Sequence, residues 1–154
     1  ENIQSNLVKI IIPDNLKKLN AYIKNIEFGI FCDSGPLHLS KIYQKNGLLI
    51  STSVDSKKLL NKKDKIIYFN SEYKSQYCEA PCGLINIINF ENKHGCFDTL
   101  KKTKRVIMNN SKINTLNRGN LENSYEHFTE NPVGCVKSLN FTKIKLLLDQ
   151  ALNL

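Results

Sequence analysis

The sequence predicts an α/β fold, a Rossmann-like parallel sheet with flanking helices, followed by an irregular cysteine-containing loop region and a C-terminal helix. Three features point to it. Residues 7–69 alternate short apolar runs with amphipathic stretches. The runs are continuously apolar rather than alternating, as in strands covered on both faces. After residue 69 the alternation gives way to "NSEYKSQYCEAPCG", rich in turn formers. The chain has 154 residues, about the size of one domain with its own core. We therefore read 1–154 as a single domain, with an α/β core at 7–69 and a loop-rich segment with C-terminal helices at 70–154.

Taken in order, "LVKIII" at 7–12 is β-branched and apolar and predicts a strand, stopped by Pro13, with Asp14 placed to cap a helix starting just after it. Leu19, Tyr22, Ile23 and Ile26 recur at helical spacing opposite Lys17, Lys18 and Lys24, predicting an amphipathic helix laid on the sheet. "EFGIFC" (27–32) predicts a strand, "PLHLSKIYQK" (36–45) a helix, "GLLIST" (47–52) a strand and "KIIYF" (65–69) a further strand. In the second half, "GCFDTLKKTK" (95–104) and "GCVKSLNFTK" (134–143) resemble each other. Each reads as a Gly-Cys turn entering a capped helix, the second continuing through "FTKIKLLLDQAL". Two copies fall short of a solenoid.

The net charge of +8 rests on 22 basic residues, of which only Arg105 and Arg118 are arginine. Lysine is a point charge without the planar fork that reads phosphates and bases bidentately, so nucleic acid is not the expected partner. No aromatic stacking array or nucleic-acid-binding signature accompanies the lysines either. Diffuse attraction to an acidic partner, an anionic membrane surface or a phosphorylated ligand, stays open beside the plain reading of a solvated basic surface. No apolar run approaches the length of a bilayer crossing, and "ENIQSN" resembles neither a signal nor a transit peptide. The expectation is a cytoplasmic protein, with contact at the inner face of the cytoplasmic membrane left open.

Five cysteines, an odd number without secretory features, suggest reduced thiols. The spacing Cys78-x3-Cys82-x13-Cys96 with His94 falls short of the two close ligand pairs of a structural zinc site, so the expectation is no metal and small buried side chains in a loop region.

The stretch "FCDSGPLHLS" (31–40) carries the chemistry. Ligands of an open parallel sheet bind at the carboxyl ends of its strands, where Asp33, Ser34 and Gly35 are expected to stand. Pro36 suits the first helical turn, Gly35 removes a Cβ that would hold a ligand off the backbone, and free first-turn amides attract anions. His38 is expected on the polar face with Lys41 and Lys45, while Leu39, Ile42 and Tyr43 turn toward the sheet. On these grounds alone, Asp-Ser-Gly-Pro is equally a helix cap without a ligand.

"DSGPLHLSKIYQKNGLLI" resembles the Asp-[Ser/Thr]-Gly-Pro-x-His-Leu signature of glycosyltransferase family 9, the lipopolysaccharide heptosyltransferases and their relatives. "YCEAPCGLINIINFENKHGCFDTL" and the final helix are similar to the order of features downstream in that family. The resemblance spans roughly 7–152, with Asp33 to Leu39 its specific part. It implies the C-terminal, donor-binding portion of a GT-B fold in an inverting, metal-independent transferase, and the sequence has no Asp-x-Asp motif. Such an enzyme moves a sugar, heptose or similar, from a nucleotide-diphosphate sugar, possibly ADP-linked in this family, to a lipopolysaccharide, saccharide or lipid-linked acceptor of the cell envelope. It further implies Asp33, Ser34, Gly35 and His38 as donor-binding positions. Where the family shows a Gly-Pro-Thr-Asp-like loop this chain has "STSVDSKKLL", which leaves Ser51, Thr52 and Lys57 as weaker candidates. The acceptor domain, the first donor-domain strands and the acceptor-activating base are expected outside these residues. Whether the chain is part of a longer enzyme or a shortened, inactive relative is left open, and the alternative function is a non-catalytic nucleotide- or phosphate-binding module.

Overall fold

The structure, a computed structural model, describes residues 9–84, 87–109, 114–115 and 133–152. Helix α1 spans Leu16–Asn25. It starts where the Asn15 side chain accepts the Lys18 N–H at 2.9 Å. Asp14, expected as the cap, instead pairs with the Lys18 ammonium one turn on, at 2.7 Å. Strand β1 (Phe28–Phe31), helix α2 (Gly35–Ile42), strand β2 (Asn46–Ser51), the short helix α3 (Ser56–Leu59) and strand β3 (Ile66–Asn70) come next along the chain.

The three strands form a parallel sheet in the order β1-β2-β3, with Phe31 opposite Leu49 and Leu49 opposite Tyr68. Side chains alternate across it, so β2 feeds two cores. On one face Leu49 joins Phe31, Leu37 of α2 and Ile66, flanked by Ile26, Leu59 and Leu60. On the other Leu48 joins Phe69 and Ile144, flanked by Phe28, Ile50 and Ile67. That double covering is why the strand sequences read as unbroken apolar runs. Gly29 and Gly47 face each other across β1 and β2 beneath the Phe31 ring. A Cβ on Gly47 would lie 2.6 Å from the Gly29 carbonyl oxygen and 2.7 Å from that ring.

Two expectations for this half need correction. Residues 7 and 8 lie outside the described residues, and 9–12 form no strand; Ile10 and Ile12 are 85% and 86% exposed. A β-branched run becomes a strand only where a neighbour satisfies its backbone and a core covers its side chains, and among the described residues 9–12 meet neither. Helix α1, for its part, packs mainly beside α2 instead of lying over the sheet. The Tyr43 hydroxyl reaches across to donate to Asn20 at 2.7 Å.

The second half is more ordered than its composition suggested. Strands β4 (Ile88–Phe90) and β5 (Lys93–Gly95) form an antiparallel hairpin, and β6 (Asn114–Thr115) pairs with β4 on its other side. Both turn residues, Glu91 and Asn92, have positive φ (51° and 61°), the twist a two-residue hairpin needs. Ile88, Phe90, Phe97, Leu100 and Ile107 make a third core. The expected helix entry at 95–104 is displaced: Gly95 ends β5, and helix α4 (Lys104–Met108) begins only after Thr103, whose hydroxyl accepts the Val106 N–H at 3.4 Å. In the second copy Gly134 opens a four-residue helix, α5 (Gly134–Lys137). The expected terminal helix is α6 (Phe141–Leu152), with the Asn140 side chain accepting the Lys143 N–H at 3.0 Å. It covers the β2 and β3 face of the sheet through Ile144 and Leu147.

Candidate functional site

Asp33 and Ser34 emerge at the carboxyl end of β1, and α2 begins at Gly35. Because β2 and β3 run parallel to β1, Thr52 and Ser71 leave the sheet at the same edge. Ser34 is the N-cap in extended conformation, but its hydroxyl turns back to donate to the Cys32 carbonyl at 3.1 Å. It therefore does not occupy the helix amides. Pro36 has no N–H, and the Leu37 N–H donates to the Ser34 carbonyl at 3.1 Å. The Gly35 amide has no acceptor among the described residues. A Cβ on Gly35 would meet nothing within 4 Å, and its φ is not in the left-handed region. The glycine is thus required neither by packing nor by the turn; what it leaves open is the approach to the backbone from outside.

His38 Nε2 stands 4.0 Å from Asp33 Oδ1, with the imidazole 56% exposed. The four positions Asp33, Ser34, Gly35 and His38 therefore share one small surface at the sheet edge. The buried side of α2 is Leu37 and Ser40, both fully covered; Ile42, expected to face the sheet, is 71% exposed. Eight residues of helix rotate the face by a fraction of a turn from the expected register. Lys41, expected beside His38, is taken up elsewhere, donating to the Leu59 carbonyl and standing 3.7 Å from the buried carboxylate of Asp64.

The weaker candidates separate. Ser51 is buried and donates to the Val54 carbonyl, so it shapes the loop after β2. The Lys57 N–H is capped by Asp55 at 3.0 Å, while its side chain is exposed. Thr52 leaves the sheet beside them and is half-buried. Sequence reasoning missed the polar latch behind these residues. Asn70 Oδ1 accepts the Ser56 N–H at 3.1 Å and the Ser56 hydroxyl at 2.5 Å, and Asn70 Nδ2 donates to Asp55 at 3.2 Å. A lone Asn ending an apolar strand was the available signal.

A cleft of about 660 Å³ opens between the end of β3 and α6. Tyr68, Ser71, Glu79 and Gln150 line it, and the Glu72–Lys143 ion pair (2.7 Å) crosses its wall. None of the four motif residues lines it.

Four of the five cysteines lie in the second half of the chain. Cys78, Cys82, Cys96 and Cys135 are unbridged and half-buried, whereas Cys32 is exposed. Burial pushes the Cys135 thiol up to about 11, and the nearby sulfurs of Cys96, Cys82 and Cys78 add to the shift. Burial likewise raises Cys78, opposed by the Ser75 hydroxyl and reinforced by Cys82 and Cys96. Tyr73 beside them is raised first by desolvation, with a hydrogen bond from Ser75 opposing and Asp98 adding. Among the described residues no group of three or more His, Cys, Asp or Glu side chains is set to hold a metal ion. Nor is any helix there long and apolar enough to cross a membrane. Compared with known proteins, the chain matches no protein-family model, no curated protein and no solved structure.

Proposed function

We propose that the chain is the donor-binding portion of a glycosyltransferase resembling family 9, which holds the diphosphate of a nucleotide sugar at the N-terminus of α2. The observation that carries the reading is the pairing of the Asp-Ser-Gly-Pro-x-His-Leu motif with a Gly35 amide that no described residue accepts, on a glycine whose outward side is open. In sugar transfer from a nucleoside diphosphate, negative charge accumulates on the departing diphosphate, so donors fixed in advance at that position lower the barrier. The Gly35 amide and the positive end of α2 supply such donors, since a helix N-terminus carries partial positive charge. His38, projecting from the same turn, adds a ring N–H to a phosphate or sugar oxygen. Asp33 Oδ1 stands 4.0 Å from its Nε2. Activation of the acceptor hydroxyl is general-base work, assigned by the family resemblance to residues outside this chain.

The test is titration with ADP, UDP and GDP, read by calorimetry and thermal shift. One nucleoside diphosphate is expected to bind with unit stoichiometry, and at about 100 times its dissociation constant to stabilise the fold by about 2.7 kcal/mol. Absence of a shift with all three diphosphates and their sugar conjugates, in folded protein, rules the reading out. Equal response to inorganic pyrophosphate, with no gain from nucleoside or sugar, favours the phosphate-binding module instead.

A further inference from the structure

We infer that the amino edge of the parallel sheet is a docking surface for an anionic lipid bilayer. It lies at the opposite end of the strands from Gly35 and is independent of the donor-site reading. Strand β2 starts at Asn46 and β3 at Ile66, with Gly47 opposite Ile66, so Lys45 and Lys65 lie where the two strands begin. The Gly47 N–H donates to the Lys65 carbonyl at 3.1 Å. Lys62 and Lys63 belong to the turn just before β3, closed where the Asp64 N–H donates to the Asn61 carbonyl at 3.1 Å. The last turn of α2 adjoins it, because the Lys41 ammonium donates to the Leu59 carbonyl and stands 3.7 Å from the Asp64 carboxylate. One end of the sheet thus gathers lysines from two connections.

Among the described residues none of Lys45, Lys62, Lys63 and Lys65 forms an ion pair. Asp64 has turned inward: its carboxylate is 4% exposed, accepts the Asn61 N–H at 2.8 Å and faces Lys41. Glu27, just before β1, is the exposed acid beside them. The carboxyl edge, by contrast, mixes signs, with Asp33 beside His38 and Glu72 paired with Lys143. An edge of uncompensated ammoniums fits an anionic partner. Ile42 points to which kind. It stands in the last turn of α2, next to Lys41, and is 71% exposed. An isoleucine exposed among lysines gains free energy at a bilayer boundary, where apolar side chains sink between headgroups while ammoniums meet lipid phosphates. A nucleic acid offers no such layer and favours the fork of arginine. Headgroups rearrange around a charge, so lysine without fixed geometry suffices. Seated in this way, the sheet turns its carboxyl edge and the N-terminus of α2 toward solution.

The test is cosedimentation of the full chain with phosphatidylcholine vesicles, with and without phosphatidylglycerol. Binding is expected only where the anionic lipid is present, and it should fall as salt is raised. Each lysine near an anionic surface is worth about 5-fold in affinity, so replacing both Lys62→Gln and Lys63→Gln should weaken binding by about 25-fold. Both side chains are exposed, so the melting temperature should hold. Lys17→Gln combined with Lys137→Gln removes the same charge from exposed positions elsewhere and should leave binding nearly unaltered. Ile42→Ser should weaken it with the charge unchanged. Equal losses in the two double variants would mean that net charge alone drives binding, and would overturn the docking surface. So would failure to bind the anionic vesicles, unaltered binding in Ile42→Ser, or tighter binding to a single-stranded oligonucleotide than to the vesicles.

Discussion

The α/β half, residues 9–70, and the cysteine-bearing half, residues 71–152, are built by opposite means. In the first half each strand pairs with the next one in sequence, β1 with β2 and β2 with β3, so neighbours along the chain are neighbours in space. In the second, β4 pairs with β6 across a long interval, Ser71 holds Cys135 from 64 positions away, and α6 returns to cover the first sheet. The contrast locates where order originates. A unit closed by local pairing announces itself in hydrophobic period, whereas one closed by returning segments depends on contacts that no window of sequence contains.

The contrast is most exposed to disproof at the doubly covered strand. Leu49 is fully buried between β1, β3 and α2, and Leu49→Ala should cost about 2–5 kcal/mol. Ile144→Ala, on α6 but packed against Leu48 and Phe69, should fall in the same range, because the last helix is part of the first sheet's core. The check is chemical denaturation of both variants. An Ile144→Ala loss below about 1 kcal/mol would mean that the first half is self-sufficient.

A smaller effect is expected at Gly47. The Cβ of Gly47→Ala would press on the Gly29 carbonyl and the Phe31 ring, and overpacking of this kind costs about 1–3 kcal/mol. Gly35→Ala is the internal control. Its Cβ meets open space, so thermal melts should show Gly47→Ala clearly lowered and Gly35→Ala nearly unmoved.

The least costly change belongs to a surface ion pair within the second half. Lys143 and Glu72 are half or more exposed although they meet at 2.7 Å. Lys143→Ala should therefore cost no more than about 1 kcal/mol, shrinking further in high salt. A larger loss in denaturation would show that the wall of the β3–α6 cleft is structural.

Legibility in the sequence divides along the same line. Strands at 28–31, 46–51 and 66–70 were legible because both faces are covered and their runs are continuously apolar. The 7–12 run carried the same signal and misled, since composition reports a capacity to pair and says nothing about whether a partner stands beside it. The β4–β5 hairpin was unreadable because its turn uses Glu91-Asn92, not the Asn-Gly or Asp-Gly that announces such turns. The motif's four residues share one surface because they adjoin in sequence. His38 was placed on the outer face, but Lys41 was not seen to turn inward, since its acceptor at Leu59 belongs to another element.

Whether the N-terminus of α2 holds the diphosphate of a nucleotide sugar is decided by measuring nucleoside diphosphate affinity and melting temperature together for His38→Ala, with Gly35→Val as companion. His38 is exposed and Gly35 faces open space, so neither substitution should lower the melting temperature appreciably. A charge-assisted hydrogen bond is worth about 1.5–3 kcal/mol, so His38→Ala is expected to weaken binding by about 10- to 100-fold. Gly35→Val should weaken it as well, by holding the phosphate off the amide. Nucleotide affinity unaltered in both variants would contradict a donor site at α2 and leave Asp-Ser-Gly-Pro as a helix cap alone.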